Sequence, residues 1–365
     1  MLLSSFEKKL FRYLFRNALA HISSTQPNPV VGAAVVKNQA IISTGFHEAY
    51  GDHHAEVNAL NLAGSAAQGA TLYVTLEPCT HFGKTPPCTD KIIESGIKEV
   101  VYAVDDPNPN VRAHSAKNIL EAAGIQVRAN VWPDEAKRTN AIFFKNQLSK
   151  KPFVTLKAGM SLDGKIALAS GESKYITSPA SLKQVHRLRA QHQAILIGIN
   201  TVLKDNPTLN IRYTNKKRAS PIKIILDSDL RTPPGAALFE NGLVRPIIFC
   251  SPNSENSPQF KILSQQADIV PKTFDWNEIL SYLFKKGICS LLIEGGQHIF
   301  TSAIQAKVVD QIKLFIAPKF LMGQDSLSLF SGQGVHSLEA AIPIFHIHTR
   351  PCGDDIIITG TLYAD

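Results

Sequence analysis

His54-Ala55-Glu56, then Pro78-Cys79, then Cys88 put an imidazole, a carboxylate and two sulfurs into about thirty-five consecutive residues. Three of these side chains can hold one metal ion only if separate segments of the chain converge, which restricts the fold of that region tightly. Imidazole nitrogen and thiolate sulfur are donors that Zn2+ accepts. Three protein ligands leave a fourth position for water, whose pKa on the metal falls to about 7. Glu56 lies two residues past His54, so at a helix start both can face one pocket while the carboxylate stays off the metal as a proton carrier. A structural zinc is closed by four ligands, so a set of three argues for chemistry.

Zinc deaminases of nucleobases carry His-x-Glu followed by Pro-Cys-x-x-Cys, with the glutamate as general acid/base. This chain departs from that spacing, with residues 80–87 separating its two cysteines. The insert has the glycine and prolines of a defined loop, which lets both thiolates converge while the excursion reaches toward a substrate. Within it His81 is expected to pack in the loop rather than to bind metal, and His53, beside the first ligand, to be exposed.

A chain of 365 residues suggests two domains, and 44% apolar with 19% charged residues is a globular composition. The five cysteines, Cys79, Cys88, Cys250, Cys289 and Cys352, are odd in number and scattered, which argues against a disulfide framework and for a reducing cytoplasm. The first ten residues include Glu7, Lys8 and Lys9 and lead into an amphipathic pattern, unlike a signal peptide; no stretch approaches a membrane-spanning length. A net charge of +8 suggests anionic company. On charge alone, nucleic acid and small phosphorylated molecules stay equally open.

From Pro29 onward apolar runs at 30–36 and 40–46 precede a helix-like 55–63 and a strand-like 71–76. A helix from Cys88, a strand at 99–104 and a helix at 115–123 complete an α/β sandwich with metal ligands at helix starts. The polar stretch 145–151 before Pro152 marks a boundary, giving domains 1–148 and 151–365. Strand-like runs at 153–158, 194–199, 222–226, 246–249, 290–293 and 312–316 make the second half α/β too, and 355–362 is expected to add an edge or antiparallel strand. Glu294-Gly295-Gly296 follows a strand and precedes a helix, where backbone amides can approach a phosphate; a tight turn alone also accounts for paired glycines.

Taken together, Thr25-Gln-Pro-Asn-Pro29, His54-Ala-Glu-Val57, Thr75-Leu-Glu-Pro-Cys79 with Gly83-Lys-Thr-Pro-Pro-Cys88, and Asp106-Pro-Asn-Pro109 resemble the deaminase half of the bifunctional riboflavin-biosynthesis deaminase/reductase family. Ser161-Leu-Asp-Gly164, Gly171-Glu-Ser173, Ile176-Thr-Ser178, Asn200-Thr-Val-Leu203 with Asp205-Asn-Pro207, and Glu294-Gly-Gly296 resemble its reductase half in the same order. The resemblance implies a cytidine-deaminase-like α/β/α sandwich followed by a dihydrofolate-reductase-like α/β domain. It also implies Zn2+ on His54, Cys79 and Cys88, Glu56 as the catalytic acid/base, and NADPH as the second cofactor. The implied substrate is a diaminopyrimidinone carrying a ribosylamino phosphate, deaminated by zinc hydroxide and then reduced to a ribityl side chain.

By the same resemblance Asn28, His47 and Lys84 bind substrate in the first domain. In the second, Lys157 and Glu294 act at the reacting sugar, and Ser173, Arg189, Leu209, Arg212 and Glu294 hold the substrate; arginine's planar fork suits its phosphate. Gly159, Tyr175, Thr201, Asp205, Ser228 and Gly296 are implied at NADPH, with Tyr175 standing where the family has tryptophan. No nucleic-acid or membrane partner is expected, and a homo-oligomer is admitted by analogy with other deaminase-like sandwiches. Two rivals are a tRNA deaminase with an appended domain, which leaves the second-half motifs without a role, and a noncatalytic zinc-dependent scaffold.

Overall fold

The computed structural model describes residues 3–83, 85–112, 114–213, 220–240 and 244–363. The chain divides into two compact units, Met1–Lys150 and Lys151–Asp365. In the first, strands β1 (Gly32–Lys37), β2 (Ala40–Phe46), β3 (Thr71–Val74), β4 (Glu99–Tyr102) and β5 (Gln126–Arg128) form one sheet in the order β2-β1-β3-β4-β5. β1 runs antiparallel to both its neighbours, and β3, β4 and β5 are parallel. Ala33 to Val36 of β1 are all buried, as an interior strand covered on both faces requires. The Ser5–Ala18 helix begins with a capping box between Ser4 and Glu7 and turns Leu10, Phe11, Leu14 and Phe15 into the core.

The Ala55–Ala63 helix lies hard against β2. A β-carbon on Gly45 would collide with the backbone of Ala55, Asn58 and Ala59, so only glycine lets the two elements approach this closely. Ser43 Oγ donates to the Ala59 carbonyl at 2.7 Å, and Asn58 Nδ2 donates to the Phe46 carbonyl at 2.8 Å. Strand and helix are thereby locked in register, and the helix start is seated over the sheet.

In the second unit β6 (Phe153–Ser161), β8 (Ala194–Gly198), β9 (Ile222–Leu226), β10 (Ile247–Cys250), β11 (Asp268–Pro271), β12 (Ser290–Gly295) and β13 (Gln311–Ala317) pair in parallel. With β15 (Phe345–Cys352) and β16 (Asp355–Thr361) they build a nine-stranded sheet in the order β11-β10-β9-β8-β12-β6-β13-β16-β15. β7 (Lys165–Ala167) and β14 (Leu327–Ser328) form a separate two-stranded ribbon. The run at 355–362 is antiparallel, but it is interior: β15 pairs along its outer side and is the edge. Most of β15 is exposed on both faces, so Phe-His-Ile-His-Thr-Arg-Pro-Cys lacks the apolar alternation that marks a half-buried strand.

Two features of this sheet place chemistry. β12 pairs with β6 at Ile293–Leu156, so the following residues, Glu294 at the C-terminal end of β12 and Lys157 midway along β6, stand side by side. Ligands of open parallel sheets bind at such ends. Above the sheet, the Pro179–Arg189 helix is capped by Ser178, and Asp355 Oδ2 accepts from Ser178 N at 2.7 Å, Ser178 Oγ at 2.7 Å and Ser181 Oγ at 2.5 Å.

Candidate active sites

His54 is the N-cap of the Ala55–Ala63 helix, with an extended ψ of 161°, and Cys88 is the first residue of the Cys88–Glu94 helix. Cys79 lies on the loop that leaves β3. Their ligand atoms all fall within 4.8 Å of one another. His54 Nδ1 is 3.2 Å from Cys88 Sγ and 3.4 Å from Cys79 Sγ, and the Cys88 backbone N–H donates to Cys79 Sγ at 3.3 Å. Hydrogen bonds from Cys88 and His54 hold the Cys79 thiol down to about 4, and the bond to Cys79 raises the His54 ring to about 9. Cys88 is pushed up by its hydrogen bond with Cys79 and by burial. Two sulfurs and one imidazole nitrogen sharing their protons at this spacing fit Zn2+, which displaces those protons when it binds.

Glu56 is buried beside this cluster without belonging to it, and burial pushes its carboxyl up, toward the proton-holding form. Glu56, His54 and Cys79 face a cavity of about 480 Å³. Asn28 and His47 line the same cavity; Asn28 Nδ2 donates to His47 Nε2 at 3.2 Å, and His47 Nδ1 donates to the His53 carbonyl at 3.1 Å. Burial pushes the His47 ring down, in keeping with a neutral ring that accepts at Nε2. His53 is exposed, as its position beside the helix start implied. His81 lines the cavity and lies outside the group of possible metal ligands. Lys84 lies outside the described residues.

Sequence reasoning missed several residues here. Glu77 is buried; its carboxylate accepts from Asp106 N at 3.1 Å and Ala116 N at 3.0 Å, fixing the loop that brings Asp106 and Asn108 to the cavity. Its signal was present in the Thr75–Cys79 run. Asn140 braces Val30 through both atoms of its amide, at 2.8 and 3.0 Å, and so supports the Asn28 turn. Phe143 and Gln147 reach the cavity from the Ala141–Ser149 helix, where nothing in the local pattern distinguishes them from core and surface residues.

The second unit holds a cavity of about 590 Å³. Lys157, Gly159, Ser173, Tyr175, Arg189, Thr201, Asp205, Leu209, Glu294 and Gly296 all line it, whereas Arg212 and Ser228 do not. At its centre Glu294 accepts from Arg189 Nε at 2.6 Å, Arg189 Nη2 at 2.8 Å and Lys157 Nζ at 3.3 Å. Burial alone would push Glu294 up; Arg189 and Lys157 outweigh it and hold the carboxyl down to about 2. Gly296 caps the Gln297–Gln305 helix with φ of 94°, a conformation that leaves glycine the natural occupant. Tyr175 is 69% exposed, leaving its ring open to a stacking partner.

Fold and sites together define the class: a zinc-dependent deaminase joined in one chain to a reductase. The family model for the cytidine and deoxycytidylate deaminase zinc-binding region matches residues 6–104, and that for the RibD C-terminal domain matches residues 152–358. The chain belongs to the RibD family of bifunctional riboflavin-biosynthesis enzymes. It is 42% identical over 334 residues to riboflavin biosynthesis protein RibD of Aquifex aeolicus, covering 92% of each chain. To that of Escherichia coli it is 36% identical over 349 residues, covering 92% of this chain and 94% of the relative. The solved Acinetobacter baumannii RibD superimposes with a TM-score of 0.85 at 32% identity, covering 98% of this chain and 99% of that one. A Thermotoga maritima diaminohydroxyphosphoribosylaminopyrimidine deaminase/5-amino-6-(5-phosphoribosylamino)uracil reductase does so at 0.83 and 34%, covering 96% and 97%.

Proposed function

We propose that the first unit hydrolytically removes an exocyclic amine from a diaminopyrimidinone carrying a ribosylamino phosphate, and that the second reduces the ribosyl group of the product to a ribityl chain. The observation that carries this reading is the meeting of His54, Cys79 and Cys88 within 4.8 Å, beside a buried acid that is not a ligand. Zinc supplies the electrophile that makes water acidic at neutral pH. Glu56 takes the proton that water gives up and passes it to the departing nitrogen, which leaves as ammonia. Asn28 and His47 orient the pyrimidine, and Lys84 is assigned to its phosphate.

In the second site NADPH supplies a hydride to the sugar carbon. The Lys157 ammonium, 3.3 Å from Glu294, offers the proton that balances it, and Glu294 holds that ammonium and Arg189 in place. Ser173 and Leu209 flank the sugar, while Arg189 and Arg212 take the phosphate. Gly159, Tyr175, Thr201, Asp205, Ser228 and Gly296 receive the dinucleotide. The partners are small molecules, and the setting is a reducing cytoplasm, in keeping with five free cysteines. Among the described residues no helix is long and apolar enough to cross a membrane.

The test is to incubate the enzyme with zinc, the diaminopyrimidine ribotide and NADPH while measuring ammonia, NADPH consumption and metal content in one sample. Ammonia followed by NADPH oxidation is expected. Ammonia released from RNA but not from the ribotide would overturn the reading.

A further inference from the structure

A guanidinium at Arg212 can meet a phosphate at a fixed place only if the backbone beneath it is held. The segment from Asn206 to Tyr213 has no strand or helix of its own. Leu209 and Tyr213 adopt positive φ values of 51° and 61°, which side-chain-bearing residues rarely take up unaided. Two side chains one turn apart on the Pro179–Arg189 helix grip this segment. Arg189 Nη1 donates to the Asn210 carbonyl at 3.1 Å, and the Arg212 backbone N–H donates to His186 Nδ1 at 3.0 Å. Tyr213 packs edge-on against the same imidazole, with ring centroids 5.2 Å apart. His186 is 8% exposed and does not line the cavity.

We propose that His186 is a positioning residue of the reductase site: its Nδ1 anchors the Arg212 backbone and so sets where that guanidinium meets the substrate phosphate. The proposal rests on the assignment of Arg212 to the phosphate.

To accept a hydrogen bond at Nδ1 the ring must be neutral, with its proton on Nε2; an imidazolium offers only donors. The charged and titratable groups facing the ring among the described residues are Arg189 on its own helix, Arg212 and Tyr213 on the loop and Glu294 on β12. Burial and the two arginines hold His186 down to about 4, while Glu294 and the Asn210 carbonyl act weakly the other way. The acceptor is therefore present throughout the neutral range. Arg189 donates three of its five N–H groups to Glu294 and Asn210, so its grip on the loop couples the carboxylate at the cavity centre to the backbone that carries Arg212.

Asparagine places Oδ1 on Cγ where histidine has Nδ1, and leucine offers no acceptor, which separates the hydrogen bond from mere bulk. In the full-length enzyme, assayed with the deaminated ribotide and NADPH, His186→Leu is expected to raise the ribotide KM about tenfold, the scale of losing one buried hydrogen bond. The KM for NADPH and the deaminase rate of the same chain should not change. His186→Asn is expected to restore the ribotide KM to within about threefold of the parent, because the acceptor is restored. Failure of asparagine to rescue, or an equal rise in both KM values, would overturn the proposal by assigning His186 to general packing. Arg212→Ala separates the two layers. If it raises the ribotide KM while His186→Leu does not, the positioning role alone falls; if neither raises it, the phosphate assignment falls as well.

Discussion

Glu56 and Glu294 are both buried carboxyls, and their neighbours drive them in opposite directions. Burial dominates at Glu56, which is pushed toward its protonated form, whereas two cations overcome burial at Glu294. Glu56→Gln keeps the shape but cannot accept a proton, so deamination should fall by about 10²–10⁴ with bound zinc unchanged, as ammonia release and metal analysis would report. Retained turnover would remove Glu56 from the chemistry. Glu294 has an ordinary value of 4.5 and a folded value of about 2, so its contribution to stability is complete above pH 4.5 and is lost as pH falls through 2. Glu294→Gln should flatten that acid slope in urea unfolding. Because it leaves Arg189 and Lys157 without their counter-charge, it should also cost about 3–5 kcal/mol at neutral pH. The cluster of His54, Cys79 and Cys88 with Glu56 beside it was legible in the sequence because these residue types are rare and their order informative. Glu77 and Asn140 act on backbone groups far away in sequence, Asn140 on one 110 residues distant, and local pattern carries no trace of such partnerships.

At the level of elements, the contact between β2 and the Ala55–Ala63 helix seats the helix start that carries His54 toward Cys79 and Cys88. Gly45→Ala forces a methyl into the helix backbone, so the first unit should lose about 1–3 kcal/mol and with it zinc affinity. Thermal melts with and without added zinc would measure both, and an unchanged melt would mean that the helix can retreat without consequence. Most strands were legible from their apolar runs, with ends displaced by a few residues: β6 continues to Ser161, whereas β3 stops at Val74, beyond which the Gly32 N–H donates to the Thr75 side-chain Oγ1 at 3.0 Å. β15 was not legible, since an edge exposed on both faces has no buried side to write into its sequence.

Across the whole molecule, the two chemistries reside in units with separate cores and unlike requirements. Stripping the enzyme with a chelator should abolish ammonia release while NADPH-dependent reduction of the already deaminated ribotide continues, read by absorbance of the nicotinamide. Loss of both together would mean that the metal also sustains the second unit. The two compact units divide at the polar stretch before Pro152, but the cavities were not legible in the sequence, because each collects loops from distant parts of its unit. The side-by-side placement of Glu294 and Lys157 has a consequence for descent. Inserting or deleting one residue within β6 or β12 ahead of either would swing that group to the opposite side of the sheet, while the surface connections can lengthen or shorten freely. Gaps in an alignment of relatives should therefore gather in those connections and spare the interiors of the two strands, a restraint on chain length that holds even where neighbouring identities drift.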